Sequence, residues 1–215
     1  MKGSFIEQAR RSQIVDTAIL TIAQRGYSQA SLAEIARKAG ISKGVISYHF
    51  EGKDELFEEI LTRLRSEPAA FVKQRVDACE SAHDKLRAYV RANFEHMKSH
   101  RTAYVALVEM WGSRGTAQGG QRFNAEAYEP SRKYIARILE SGRQRGELAL
   151  GSAMTVASVI QAAIDGVMLQ WVFDEEHVDL DACSDEILRM TSRNLSVETR
   201  PQLSGPQAGR REPKR

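Results

Sequence analysis

The residues best suited to chemistry lie close together near the amino terminus: Ser42, Lys43, Gly44, Val45, Ser47, Tyr48, His49 and, just beyond them, Lys53. They do not form a nucleophile paired with a base, and no glycine loop follows a strand to cradle a phosphate. An ammonium such as that of Lys43 can reach O6 and N7 of guanine or a phosphate oxygen. A branched apolar side chain such as Val45 packs on a thymine methyl, and Gly44 lets the backbone approach closely. The chemistry on offer is recognition of a nucleic-acid groove, provided that one helix presents these residues together.

That helix needs a second one to hold it. Residues 31–50, SLAEIARKAGISKGVISYHF, read as two short helices joined by a glycine turn. Ser31 and Glu34 have the S-x-x-E spacing of a capping box. Leu32, Ile35, Ala36 and Ala39 then recur on one face of a 3.6-residue period. Gly40 stands where a residue of positive φ ends such a helix, and Ser42 can cap the next. Ile46 and Phe50 supply the buried side of the second helix, and Ala36 is small where the two would cross. The pattern is a helix-turn-helix, which places the first turn of its second helix against base edges in the major groove. Ser31 and Ala33, at the start of the supporting helix, belong to the same contact surface, although alanine can read little.

The flanks extend the pattern. Upstream, Ile14, Val15, Ala18, Ile19, Ile22 and Ala23 share one helical face that stops at Gly26-Tyr27, with Arg10 and Arg11 placed to clamp phosphates. Downstream, Glu51-Gly52-Lys53 turns into a helix bearing Leu56, Phe57, Ile60, Leu61 and Leu64. The run RGYSQASLAEIARKAGISKGVISYHFEGKDELF, Arg25 to Phe57, resembles the amino-terminal domain of the TetR family of bacterial transcriptional regulators. The likeness is dense over roughly the first 65 residues and architectural beyond them. It implies that Tyr48, His49 and Lys53 contact phosphates. It departs at Ser47, where the family usually has a tyrosine whose hydroxyl reaches a phosphate; serine is far shorter, and Tyr48 stands as the replacement. The resemblance also implies a homodimer on a palindromic double-stranded DNA operator, with a carboxy-terminal half that holds a small-molecule effector and releases a repressor from its site.

Composition agrees with an ordinary helical protein: 42% apolar, 27% charged, and five prolines in 215 residues, three of them in the last fifteen. The net charge of +3 would not by itself suggest nucleic acid, but residues 1–53 carry an excess of four positive charges on the motif-bearing segment. Cys79 and Cys183 cannot build a disulfide framework. The start, MKGSFIEQAR, lacks the apolar stretch of a leader, and Gln161, Asp165 and Gln170 interrupt the most apolar window, Ala153 to Phe173. A cytoplasmic protein without a membrane span is expected. His96 and His100 stand one turn apart as metal ligands can, with Glu95 beside them, but no third ligand joins them and they are expected on the surface. Neither an enzyme nor a cofactor is indicated.

The expected fold is all-α, with an amino-terminal three-helix DNA-binding domain over residues 8–67 and a helical effector-binding and dimerisation domain over 68–196. A helix break at Glu67-Pro68 separates them, and a disordered tail over 197–215 follows. A short helix should carry Phe71, Val72, Val76 and Cys79, and Ser81 with Asp84 should cap the next. Residues 112–120, GSRGTAQGG, read as a loop, and the helix after Ser152 is apolar on more than one face, as a dimer interface requires. An apolar or aromatic effector would be lined from Phe71, Tyr89, Phe94, Met97, Tyr104, Trp111, Tyr128, Tyr134, Met168 and Trp171. The mid-helix Gly166, next to Asp165, would permit close helix contact.

Overall fold

Each helix of the first half starts and stops where a side chain or a glycine satisfies its loose ends. In the computed structural model, which describes residues 4–113 and 118–195, α1 (Phe5–Arg25) starts at Ser4 with a full capping box. Its partner in that box is Glu7, whose carboxylate accepts from the Ser4 amide at 2.6 Å. α2 (Leu32–Ala39) starts at Ser31 and ends at Gly40, which has φ 67° and ψ 31°. α3 (Lys43–His49) starts at Ser42, whose Oγ accepts from the Val45 amide at 3.3 Å. The expected box at Ser31 is only half made. Ser31 Oγ accepts from the Glu34 amide at 3.2 Å, but the Glu34 carboxylate turns to Arg37 at 2.7 and 2.9 Å. The charged partner one turn ahead wins because the Ser31 amide already bonds the Gln29 carbonyl at 2.9 Å.

The expected break at Pro68 does not occur. α4 runs unbroken from Lys53 to Asp77 with Pro68 inside it, so Phe71, Val72 and Val76 lie on its second half rather than on a helix of their own. A proline inside a helix costs about 3 kcal/mol in a lost hydrogen bond and a clash with the preceding turn. Burial of Leu64, Val72 and Val76 on either side of the proline offsets that cost.

The second half comprises α5 (Ala82–Ser99), α6 (Arg101–Ser113), α7 (Gln118–Gln144), α8 (Ala153–Phe173) and α9 (Leu180–Leu195). No strand occurs among the described residues. Ser81 caps α5 by accepting from the Asp84 amide at 3.0 Å, and Ser152 caps α8. Gly112 and Ser113 close α6, and α7 already begins at Gln118, so the loop read over 112–120 is shorter than expected; its residues 114–117, like the tail 197–215, lie outside the described residues. α7 packs along α8, α5 along α4 and α9, and α1 on α2, α4 and α6. The buried side chains form one cluster that runs from Ile14 and Ile22 through Phe57 and Met110 to Ile164 and Leu195.

Two glycines matter for opposite reasons. A Cβ on Gly142 would stand 2.5 Å from Ala82 Cβ and 2.7 Å from Leu148 Cδ1, where α7 crosses the start of α5. Gly142→Ala is therefore expected to lower stability by roughly 2 kcal/mol, read as a shifted urea midpoint with an unchanged slope. A Cβ on Gly166 would meet nothing within 4 Å, so this glycine permits no close contact inside the protomer.

Candidate nucleic-acid interface and interior aromatic cluster

A seven-residue helix is too short to hold itself together, so α3 depends on its anchors. Ile46 and Phe50 are 0% and 1% exposed in the core beneath it. With that face fixed, Lys43, Gly44, Ser47 and Tyr48 point outward, Tyr48 with 74% of its surface free, while Val45 and His49 are half-buried. Ser31, Ala33 and Ser42 are exposed beside them. Lys53, the first residue of α4, is half-buried, with its ammonium 5.0 Å from the rings of both Tyr27 and Phe57. Most of the sequence-selected residues are thus open to solvent, Val45 and His49 partly so, with Lys53 drawn towards aromatic neighbours.

The arginines upstream behave differently from one another. The Arg11 guanidinium donates to the His49 carbonyl, to Glu55 at 3.0 Å and to Glu59 at 3.2 Å, and lies 4.1 Å over the Phe50 ring. It ties α1 to the end of α3 and to α4, which occupies the charge expected to clamp a phosphate. Arg10 reaches only Gln13 among the described contacts. Arg37 pairs with Glu34, and Lys38 donates to Gln24 at 2.7 Å, as solvated helix charges do.

One partner on this face escaped the sequence reading. The Tyr48 hydroxyl donates to Glu7 Oε1 at 3.2 Å, across 41 positions of chain, and the His49 ring packs edge-on to Tyr48. The Ser4 amide first, and the Tyr48 hydroxyl next, hold the Glu7 carboxyl below the usual range. The signal was present, since S-F-I-E at Ser4–Glu7 has the same spacing as the box expected at Ser31.

In the second half, Tyr89, Phe94, Met97, Tyr104, Met168 and Trp171 are buried, while Phe71, Trp111 and Tyr134 are half-buried. The structure joins only some of them. Tyr89 and Tyr134 have ring centroids 6.1 Å apart, and Trp111 and Tyr128 5.9 Å apart. Phe71 and Tyr104 both meet the His96 ring, and the Phe71 ring also carries the Arg75 guanidinium at 3.4 Å. The Arg101 guanidinium lies 5.6 Å over the Trp171 ring.

At the centre stands a polar chain built on Gln161 and Asp165, the residues that interrupt the apolar run of α8. The Tyr89 hydroxyl donates to Gln161 Oε1 at 2.7 Å, and Gln161 Nε2 donates to Asp165 Oδ1 at 2.8 Å. Burial lifts the Asp165 carboxyl to about 6, and its charge in turn helps to raise Tyr89, Tyr104 and Tyr128, on α5, α6 and α7. Among the described residues, Gln161 is the only hydrogen-bond donor to that carboxylate. His96 is not on the surface as expected. It is 4% exposed, bonded through Nδ1 to the Tyr104 hydroxyl at 3.0 Å and stacked at 4.0 Å on His100. Burial first, and the neighbouring His100 next, push it down to about 4. An i, i+4 spacing cannot say which of its residues faces inward, and the second face of α5 proves to be covered.

A capped helix with a polar outer face, seated on α1 and α2, defines a helix-turn-helix DNA-binding protein. Residues 14–60 match the bacterial regulatory proteins of the tetR family, and residues 82–195 match the C-terminal domain of BetI-type transcriptional repressors. The chain belongs to the TetR family and is a DNA-binding transcriptional regulator. It is 30% identical over 178 residues to the HTH-type transcriptional regulator BetI of Paraburkholderia phymatum, covering 82% of this chain and 88% of that one. In fold it resembles a transcriptional regulator from Saccharomonospora viridis solved in complex with choline, with TM-score 0.77, 22% identity, and 88% and 98% of the two chains covered. It also resembles FadR from Bacillus subtilis in complex with stearoyl-CoA, with TM-score 0.72, 22% identity, and 83% and 96% covered.

Proposed function

We propose that this regulator is a cytoplasmic homodimeric repressor, not an enzyme, which reads a palindromic operator with α3 and leaves it when a small molecule binds among α5 to α8. The exposed first turn of α3, capped by Ser42 and seated by Ile46 and Phe50, carries the reading. Lys43, Gly44 and Val45 read bases. Ser31, Ala33, Ser42, Ser47, Tyr48, His49 and Lys53 line the groove wall or touch phosphates, which set register rather than sequence.

The dimer is supported by α8. Val159, Ala162, Gly166, Leu169 and Phe173 follow one another at three- and four-residue steps, and Val159 and Phe173 are 65% and 74% exposed. By length and composition α8 could cross a membrane, but only 33% of its most apolar window is buried within the protomer. A second copy laid along this stripe covers the rest.

The effector has an apolar or aromatic body and a cationic group. Aromatic walls suit the body, and a half-buried Asp165 with no cation among its described partners suits the charge. Structurally similar regulators hold choline in one case and stearoyl-CoA in another; Asp165 favours the first chemistry. The test is a titration of the DNA upstream of the chain's own coding region, with and without choline. Binding is expected at neutral pH, with release by the cation. Release should weaken as pH falls through about 6, because protonation removes the Asp165 charge. Asp165→Asn should bind DNA and ignore the cation. Release by stearoyl-CoA alone would remove the cation from this reading, and no specific DNA binding would remove the operator assigned here.

A further inference from the structure

The Glu7–Tyr48 contact sits on the outer face of the DNA-binding half, where a carboxylate is otherwise out of place. DNA is a polyanion, and a fixed negative charge at its docking face opposes binding. Glu7 is nevertheless held firmly. Its carboxylate closes the capping box of α1 through the Ser4 amide and accepts from the Tyr48 hydroxyl with its other oxygen. A tyrosine hydroxyl has one proton to donate. While that proton lies on Glu7, Tyr48 turns only oxygen lone pairs towards a phosphate.

We propose that Glu7 is a specificity-determining residue: a latch that withholds the Tyr48 donor from DNA until a well-seated recognition helix brings a phosphate close enough to displace it. On random sequence, where α3 finds no matching base edges, the latch stays closed and the carboxylate repels the backbone. On the operator, base contacts made by α3 hold the phosphate near Tyr48, and its proton passes from the Glu7 hydrogen bond to a phosphate hydrogen bond. Glu7 thus lowers non-specific affinity more than specific affinity and widens the ratio between them, which decides occupancy in a genome full of competing sites. The inference rests on the placing of Tyr48 at the DNA face.

Glu7→Gln tests it cleanly, because glutamine at this position also completes a capping box and so preserves the start of α1. Affinity is measured for a random-sequence duplex and for a duplex selected by the wild-type chain from a random pool. Both are titrated with the wild type, Glu7→Gln, Tyr48→Phe and the double variant. Glu7→Gln is expected to bind the random duplex about tenfold more tightly, by loss of one opposing charge and release of one donor. Its gain on the selected duplex should be clearly smaller. In the Tyr48→Phe background the gain on random DNA should fall to about threefold, the part due to charge alone. An equal gain in both backgrounds, or no gain at all, overturns the latch. Tyr48→Phe binding both duplexes as the wild type does overturns the placing of Tyr48 and the latch with it. Tyr48→Phe weakening binding while Glu7→Gln changes nothing overturns the latch alone.

Discussion

Gly166→Leu should give a protein that is well folded, monomeric and nearly unable to hold its operator. Within the protomer a Cβ at this position meets nothing within 4 Å, so the first carbon of the added side chain stands in open space. Leucine also favours a helix interior over glycine by about 0.8 kcal/mol, so thermal stability of the single chain should hold or rise. The loss falls on the second copy. Gly166 is the middle of the stripe Val159, Ala162, Gly166, Leu169, Phe173, the point where two α8 helices can approach most closely. A leucine there separates the backbones along the whole seam. Because a dimer places two recognition helices on half-sites one turn of DNA apart, a monomer keeps only half the contacts. Light scattering should report half the wild-type mass with unchanged helicity, and operator affinity should drop by about 1,000-fold. Retention of the dimer by Gly166→Leu would move the interface elsewhere.

Lys43→Ala and Tyr48→Ala should each weaken operator binding by about 10–100-fold and leave mass and helicity unaltered. Lys43 is exposed in the first turn of α3, where an ammonium can reach a base edge or a phosphate. Tyr48 is 74% exposed one turn later, and neither side chain supports the core. The two losses should differ in kind. If Lys43 reads a base, its removal relaxes preference at one position of the operator, whereas removal of Tyr48 weakens the matched duplex and its single-mismatch variants alike. A fluorescence-anisotropy titration on matched and single-mismatch duplexes separates these effects, and nanomolar binding kept by both variants would dismiss α3 as the reading helix.

The parts of this molecule that were legible in the sequence are those fixed by local chemistry. Ser42, Gly40 and Ser81 announce helix ends because their side chains or positive φ act within four residues, and the structure places each as its spacing implies. Ile46 and Phe50 declare a buried face by period alone. What was misread depends on distant partners. Pro68 looked like a boundary because the sequence does not reveal that α4 stays packed, with buried residues on both sides of the proline. Glu34 is the local exception, completing a box on paper but turning to Arg37 three residues on in the fold. Arg11 looked free for phosphate until its ties to α3 and α4 came into view. Gln161 and Asp165 were visible as breaks in an apolar run, but nothing local says that Tyr89 closes over them.

The packing of α1 on α6 bears on how such a chain could be re-engineered. Ile14, Val15, Ala18 and Ile22 leave almost no surface to solvent, and the cluster they belong to continues into the second half without a seam. The DNA reader is thus not a detachable cartridge. A hybrid regulator made by joining these first residues to another sensor would have to replace the contact that α6 makes with α1 here. The same continuity means that evolution cannot easily exchange one half of this protein without revising the other.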